Sequence, residues 1–166
     1  CPSFEANMND QTELRKHLLE LLEGKSAHIA IEAALRGFPI NLINERCENS
    51  PHTAWELLED IRIAQNVILE FSRNSEHVSP EFPDGYWNKA IGGTIDWQMS
   101  TDQILSDLQE MRDIVANEST DLFAVIPHGD GQTILREVLV LADHNSYHLG
   151  QLMLIRRTLE KGPALN

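Results

Sequence analysis

The 166-residue chain predicts an all-α fold, most simply a four-helix bundle with one short extra helix. Three observations carry that reading. Four segments repeat apolar residues at the three- and four-residue spacing of an amphipathic helix. No segment alternates apolar and polar residues over a convincing strand length; residues 122–126 read as a short strand at most, with no partner to pair with. Cap and turn residues fall where those helical segments start and stop.

The first helix is expected over residues 10–23. Asp10 followed by Glu13 is a start signal, Leu14, Leu18, Leu21 and Leu22 form a core-facing stripe, and Gly24 is a stop. The Ala-rich stretch SAHIAIEAALRGFP predicts a short helix around Ile31 to Arg36 that ends before Pro39. The second main helix is expected to open in SPHTAWELLED, with Ser50 as cap and Pro51 at the first helical position. Its stripe is Leu57, Ile61, Ala64, Ile68 and Phe71, and it is expected to end near Ser72. Residues 73–99 read as a long loop between the second and third main helices, because Pro80 and Pro83 exclude a continuous helix. Phe82, Tyr86 and Trp87 are expected to pin that loop to the bundle rather than to form a ligand box. Ser100 and Gln103 match a capping box and predict the third helix from there to about Asn117, with Ile104, Leu108, Met111 and Val115 inward. PHGDG then leads into a last helix over residues 132–159, with Asp130 as cap and Gly162-Pro163 at its end.

With no internal repeat, low-complexity tract or Ser/Gly linker, residues 1–166 read as one domain. Apolar residues make up 42% of the chain and charged residues 23%, the proportions of an ordinary soluble domain. The formal net charge of -13 argues against nucleic acid, whose sequence-independent affinity comes from cations on phosphates, and against an anionic membrane surface. No apolar run approaches the roughly 18 residues of a transmembrane helix. Cys1 and Cys47 do not make a disulfide framework. Cys1 opens the chain without an initiator Met, and reads either as an artificial boundary or as the residue left, and lipidated, after signal cleavage. Nothing else supports export, so the expectation is a cytoplasmic protein, with export or lipid anchoring through Cys1 kept open.

The chemistry concentrates in LADHNSYHLGQL, residues 141–152. Positions four apart on an α-helix differ by only about 40° around the axis. His144 and His148 therefore share a face, and two imidazoles so placed can reach one metal ion. Leu141, His144, His148, Leu152 and Ile155 form one stripe, so the pair interrupts an apolar seam. Burying two imidazoles there costs free energy unless each is hydrogen-bonded or metal-bound. Spacing alone leaves two readings open: a metal site, or two core histidines satisfied by carbonyls or carboxylates. Asp60 supplies a candidate third ligand, because it falls between Leu57 and Ala64 on the core stripe of the second helix. Two histidines and a carboxylate suit Zn²⁺, Ni²⁺ or Fe²⁺ and leave coordination positions for water or substrate. The bland reading of Asp60 is a buried salt bridge or a hydrogen bond to a neutral His. His52 competes as third ligand but lies well off the seam. His17 reads as a packed residue near the first stripe, and His28, His77 and His128 as surface or supporting residues.

The segments AWELLEDIRIAQNVILEFSRN, VSPEFPDGYW and above all IPHGDGQTILREVLVLADHNSYHLGQLMLIRRTL resemble the DinB/YfiT-like family of metalloenzymes. The His-x-x-x-His pair followed by Gly150 and Gln151 is the most specific part of the likeness. The resemblance implies a DinB-like four-helix bundle, often a homodimer, with a divalent metal held by three histidines. Two of these match His144 and His148. The third lies in a stretch of the second helix that reads LLEDIRIAQ here, so Asp60 stands at the place of the family's usual His. A carboxylate there implies a site of altered preference, towards Mn²⁺, Fe²⁺ or Ni²⁺, or one that binds metal weakly or not at all. Related members include transferases and isomerases that use a low-molecular-weight thiol. The expected activity is thus a metal-dependent thiol S-transferase or a metal-assisted hydrolase acting on a small molecule. The alternative is a non-catalytic, stress-related binding protein that keeps the bundle around a degenerate metal site.

Overall fold

The structure, a computed structural model, describes residues 3–48 and 50–161. Those residues form five helices, α1 (Ser3–Glu23), α2 (Ile31–Arg36), α3 (Ala54–Arg73), α4 (Thr94–Ala116) and α5 (Ile134–Lys161). Two 3₁₀ turns, Ile40–Leu42 and Asp84–Tyr86, interrupt the connections. Among the described residues there is no strand, only an isolated bridge between Val125 and Thr133. The architecture is all-α, as expected, and α2 lies where the Ala-rich stretch predicts it.

Capping chemistry decides where the longer helices begin, and it departs from expectation at each start. The α1 helix begins at Ser3 rather than Asp10. No glycine or proline interrupts residues 4–9, so nothing local stops the helix from extending past the Asp10 signal. Gly24 ends it as expected, with φ +68 and its N–H reaching back to the Glu20 and Leu21 carbonyls. For α3, Thr53 caps instead of Ser50. Its hydroxyl accepts the Glu56 N–H, the Glu56 carboxylate accepts the Thr53 N–H, and this reciprocal box outcompetes a lone serine. The Ser50 hydroxyl turns to the His52 carbonyl. In α4 the Asp96 carboxylate accepts the Gly93 N–H and starts the helix six residues before Ser100, which is buried inside it. Thr133, not Asp130, closes the first turn of α5 by accepting the Arg136 N–H. The expectations for Cys1 and for Gly162-Pro163 fall outside the described residues.

The helices assemble as a bundle in which α3 packs on α4 and α5, and α1 packs on the same two. Leu18, Leu22, Ile61, Leu69, Met111 and Leu152 are among the side chains that fill its interior. Leu21, expected in the α1 stripe, is 46% exposed, because Leu18 and Leu22 already fill the narrow seam. His17 is likewise not packed; it projects outward between Glu13 and Glu20. Buried Arg15 takes a place facing α4, donating to the Val115 and Asn117 carbonyls that the end of that helix leaves free. Deeper in, the Gln65 amide donates to the Ile104 carbonyl at 2.6 Å, and Asn145 donates to the Gln65 carbonyl oxygen at 2.7 Å. That chain of bonds ties α3, α4 and α5 together beside His144.

The long connection before α4 is held at several points. Asn44 exchanges two hydrogen bonds with Gly92, and Gly92 lies so close on the buried Trp55 ring that a Cβ there would sit 2.3 Å from it. Asn88 donates to Glu59. Tyr86 and Trp87 are half-buried, as expected of anchors, but Phe82 is 81% exposed and touches Tyr86 by an edge contact only.

Candidate metal centre

Helix α3 carries Asp60 on its buried face, and α5 carries His144 and His148 opposite it. Both Nε2 atoms converge on one carboxylate oxygen: Asp60 Oδ2 lies 3.2 Å from His144 and 2.9 Å from His148. The imidazoles are tilted by 60° with centroids 4.5 Å apart. The three donor atoms lie within 4.8 Å of one another, a group able to hold a metal ion. Neither close N···O approach has hydrogen-bond alignment, so Asp60 Oδ2 is buried without a hydrogen-bond partner among the described residues.

The neighbouring carboxylate makes the contrast plain. Glu59, also buried, is saturated: it accepts from Arg62 through two nitrogens, from Ser100 at 2.6 Å and from Asn88 at 3.1 Å. Glu59 is part of the scaffold that holds the loop, whereas Asp60 is left facing the imidazoles.

Electrostatics favour an ionised Asp60. Burial alone would raise its carboxyl, but the His144 and His148 imidazoles outweigh burial and bring the pKa down to about 2. The side chains of Asp60 and His148 are 6% and 10% exposed, against 27% for His144, so the centre opens to solvent on the His144 side. His144 Nδ1 is buried with no hydrogen-bond partner among the described residues, while His148 Nδ1 lies 2.8 Å from Gln151 Oε1.

Aromatic rings wall the centre. Trp87 and Tyr147 meet the His148 ring edge-on, with centroids 6.4 and 5.0 Å away. Burial pushes the Tyr86 phenol up, and the Asp60 charge pushes it further the same way, so the hydroxyl stays protonated near the carboxylate. Sequence reasoning assigned Tyr86 and Trp87 only to loop anchoring. Their place at the centre comes from a loop without periodicity, which leaves no local signal. A cavity of about 280 Å³ lies on the other side of Gln151, bounded also by Cys47, His52, Leu57, Ile155 and Thr158.

Neither His52 nor Glu56 joins the three donors. His52 stacks flat on Trp87, with centroids 3.8 Å apart and planes 7° from parallel, and its Nδ1 faces Glu56 at 3.6 Å. His28 is exposed beside Ser146, His77 contacts Ser79, and His128 meets the Phe71 carbonyl. No family model matches the chain, and neither a curated protein nor a solved structure matches it.

Proposed function

We propose that Asp60, His144 and His148 hold a divalent metal ion, and that the protein is a metal-dependent enzyme of the DinB/YfiT-like kind acting on a small molecule. The observation that carries this reading is the orphaned oxygen. A buried, ionised carboxylate oxygen faces two Nε2 atoms at 2.9 and 3.2 Å without a hydrogen bond to either. Donors on a tetrahedral ion with bonds of about 2.1 Å sit about 3.4 Å apart. The two oxygen–nitrogen distances therefore need to open by only a few tenths of an ångström to suit such an ion, and all three donors already lie within 4.8 Å of one another. A four-helix bundle of DinB type and a homodimer belong to the same proposal.

A bound divalent ion supplies Lewis acidity, lowering the pKa of a thiol or water so that the nucleophile forms at neutral pH. The chain's own residues do the rest. Asp60 contributes the negative charge that two neutral imidazoles lack. His144, the most exposed of the three side chains, marks the side from which a low-molecular-weight thiol or a water would approach. Trp87 and Tyr147 flank the His148 ring edge-on and shield that side of the centre. A thiol S-transferase and a metal-assisted hydrolase both satisfy this arrangement.

A second reading is a binding protein without chemistry. Its support is the shortness of the same contacts, since a protonated imidazole would satisfy Asp60 as an ion pair with no metal at all. Metal analysis of protein purified without a histidine tag separates the two. The enzyme reading expects about one Mn, Fe, Ni or Zn per chain, lost in His148→Ala, and thiol-transfer or hydrolytic turnover that chelation abolishes. Metal-free protein that takes up no divalent ion on addition would leave the binding-protein reading.

A further inference from the structure

We propose that Gln151 is a positioning residue that fixes His148 as its Nδ1–H tautomer and so keeps the Nε2 lone pair free to bind a cation beside Asp60. The inference rests on the metal-centre reading above for the purpose it assigns to the tautomer, although the tautomer itself is a property of the metal-free chain.

A neutral imidazole carries one proton, and here two acceptors compete for it. Asp60 Oδ2 stands 2.9 Å from Nε2, and Gln151 Oε1 stands 2.8 Å from Nδ1. On charge alone the carboxylate would win, placing the proton on Nε2 and blocking that atom as a ligand. Geometry decides otherwise. The Gln151 contact satisfies hydrogen-bond alignment, whereas Asp60 Oδ2 receives no aligned donor from either ring. Hydrogen bonds weaken steeply off axis, so the aligned acceptor takes the proton. Gln151 lies three residues beyond His148 on the same helix, so one turn of α5 holds both ends of the contact. Histidine ligands commonly depend on such a partner at the other ring nitrogen, which sets both tautomer and ring direction.

His144 provides an internal comparison. Its Nδ1 has no hydrogen-bond partner among the described residues, so nothing comparable selects its tautomer. The two ligands of one centre are thus unequal: His148 is pre-set and half as exposed or less, while His144 faces the opening unset. Gln151 also borders the cavity shared with Cys47 and Thr158, so changing it leaves no closed void in the core and its variants are expected to retain the fold.

The test combines nitrogen-15 NMR of the histidines in metal-free protein near pH 8 with calorimetric titration of Zn²⁺ and Ni²⁺. In the wild type His148 is expected as the Nδ1–H tautomer. Gln151→Met, similar in size but without an acceptor of comparable strength, is expected to shift His148 towards the Nε2–H form and to weaken metal binding about ten- to a hundredfold. Gln151→Glu, which restores an acceptor, is expected to recover both the tautomer and the affinity, and the His144 signals are expected to stay unchanged throughout. A wild-type His148 already in the Nε2–H form, or a Gln151→Met protein with unaltered tautomer and affinity, would overturn the proposal. If no protein binds either ion but the His148 tautomer still follows residue 151, the positioning role stands and the metal-centre reading falls.

Discussion

Asp60 is the residue on which the account turns. Its interest could be read from its position, since a carboxylate on the Leu57–Ala64 stripe must face the interior and find a partner there. The sequence offered Asp60 as third ligand beside His144 and His148; that both Nε2 atoms meet one of its oxygens required the structure, because nothing in a helical period says which face of one helix meets which face of another. Glu59 shows the limit from the other side. It is as buried as Asp60, and although Arg62 one turn on was legible as a partner, its other donors, Ser100 and Asn88, come from segments far along the chain. The electrostatic coupling of Asp60 has a measurable sign. Its folded pKa, about 2, is depressed below the ordinary 3.8. A depressed carboxyl stabilises the fold above its unfolded pKa and loses that contribution as pH falls through the folded value. In chelator-treated protein the stability of the wild type relative to Asp60→Asn should fall by about 2 kcal/mol as pH drops from roughly 4 to 2. Urea unfolding at pH 6 and at pH 2.5 measures the gap; one that does not change with pH would mean the imidazoles do not act on the carboxylate.

At the scale of elements, the helices were legible and their starts were not. Apolar periodicity marks the middle of each helix, and the four inward residues expected for α4 are all buried. A start is a competition between neighbouring caps, and the complete Thr53–Glu56 box prevails over the Ser50-Pro51 signal just before it. The connection over residues 74–93 is the element whose contribution was least legible, since prolines say only that it is no helix. Its anchoring makes a prediction. In Gly92→Ala the new Cβ would meet the buried Trp55 ring at 2.3 Å, and neither the ring nor the Asn44 bonds leave room to retreat. Overpacking of this kind costs about 1–3 kcal/mol, or a fall in Tm of roughly 2–12 °C for a chain of this size. Thermal unfolding followed by circular dichroism checks this, and an unchanged Tm would mean the loop is not clamped there.

Across the whole molecule, no helix among the described residues is long and apolar enough to cross a membrane, as the lack of a long apolar run in the sequence predicts. The bundle brings a carboxylate from α3 and two imidazoles from α5 into one buried cluster while a loop between α3 and α4 roofs it. If that cluster holds metal, folding and binding are linked. At a free-ion concentration one hundred times Kd the fold should gain about 2.7 kcal/mol, a rise in Tm of roughly 5–11 °C, and His148→Ala should show none of it. The most direct test of the centre is calorimetric titration of chelator-stripped, untagged wild type, Asp60→Ala and Asp60→His with Zn²⁺, Ni²⁺ and Mn²⁺. The expected result is one site per chain in the wild type, binding at least about tenfold weaker in Asp60→Ala, and a shift towards Zn²⁺ in Asp60→His as the harder oxygen ligand is replaced by imidazole. A wild type that binds none of the three below millimolar concentrations, beside an Asp60→His protein that binds Zn²⁺ tightly, would contradict the account.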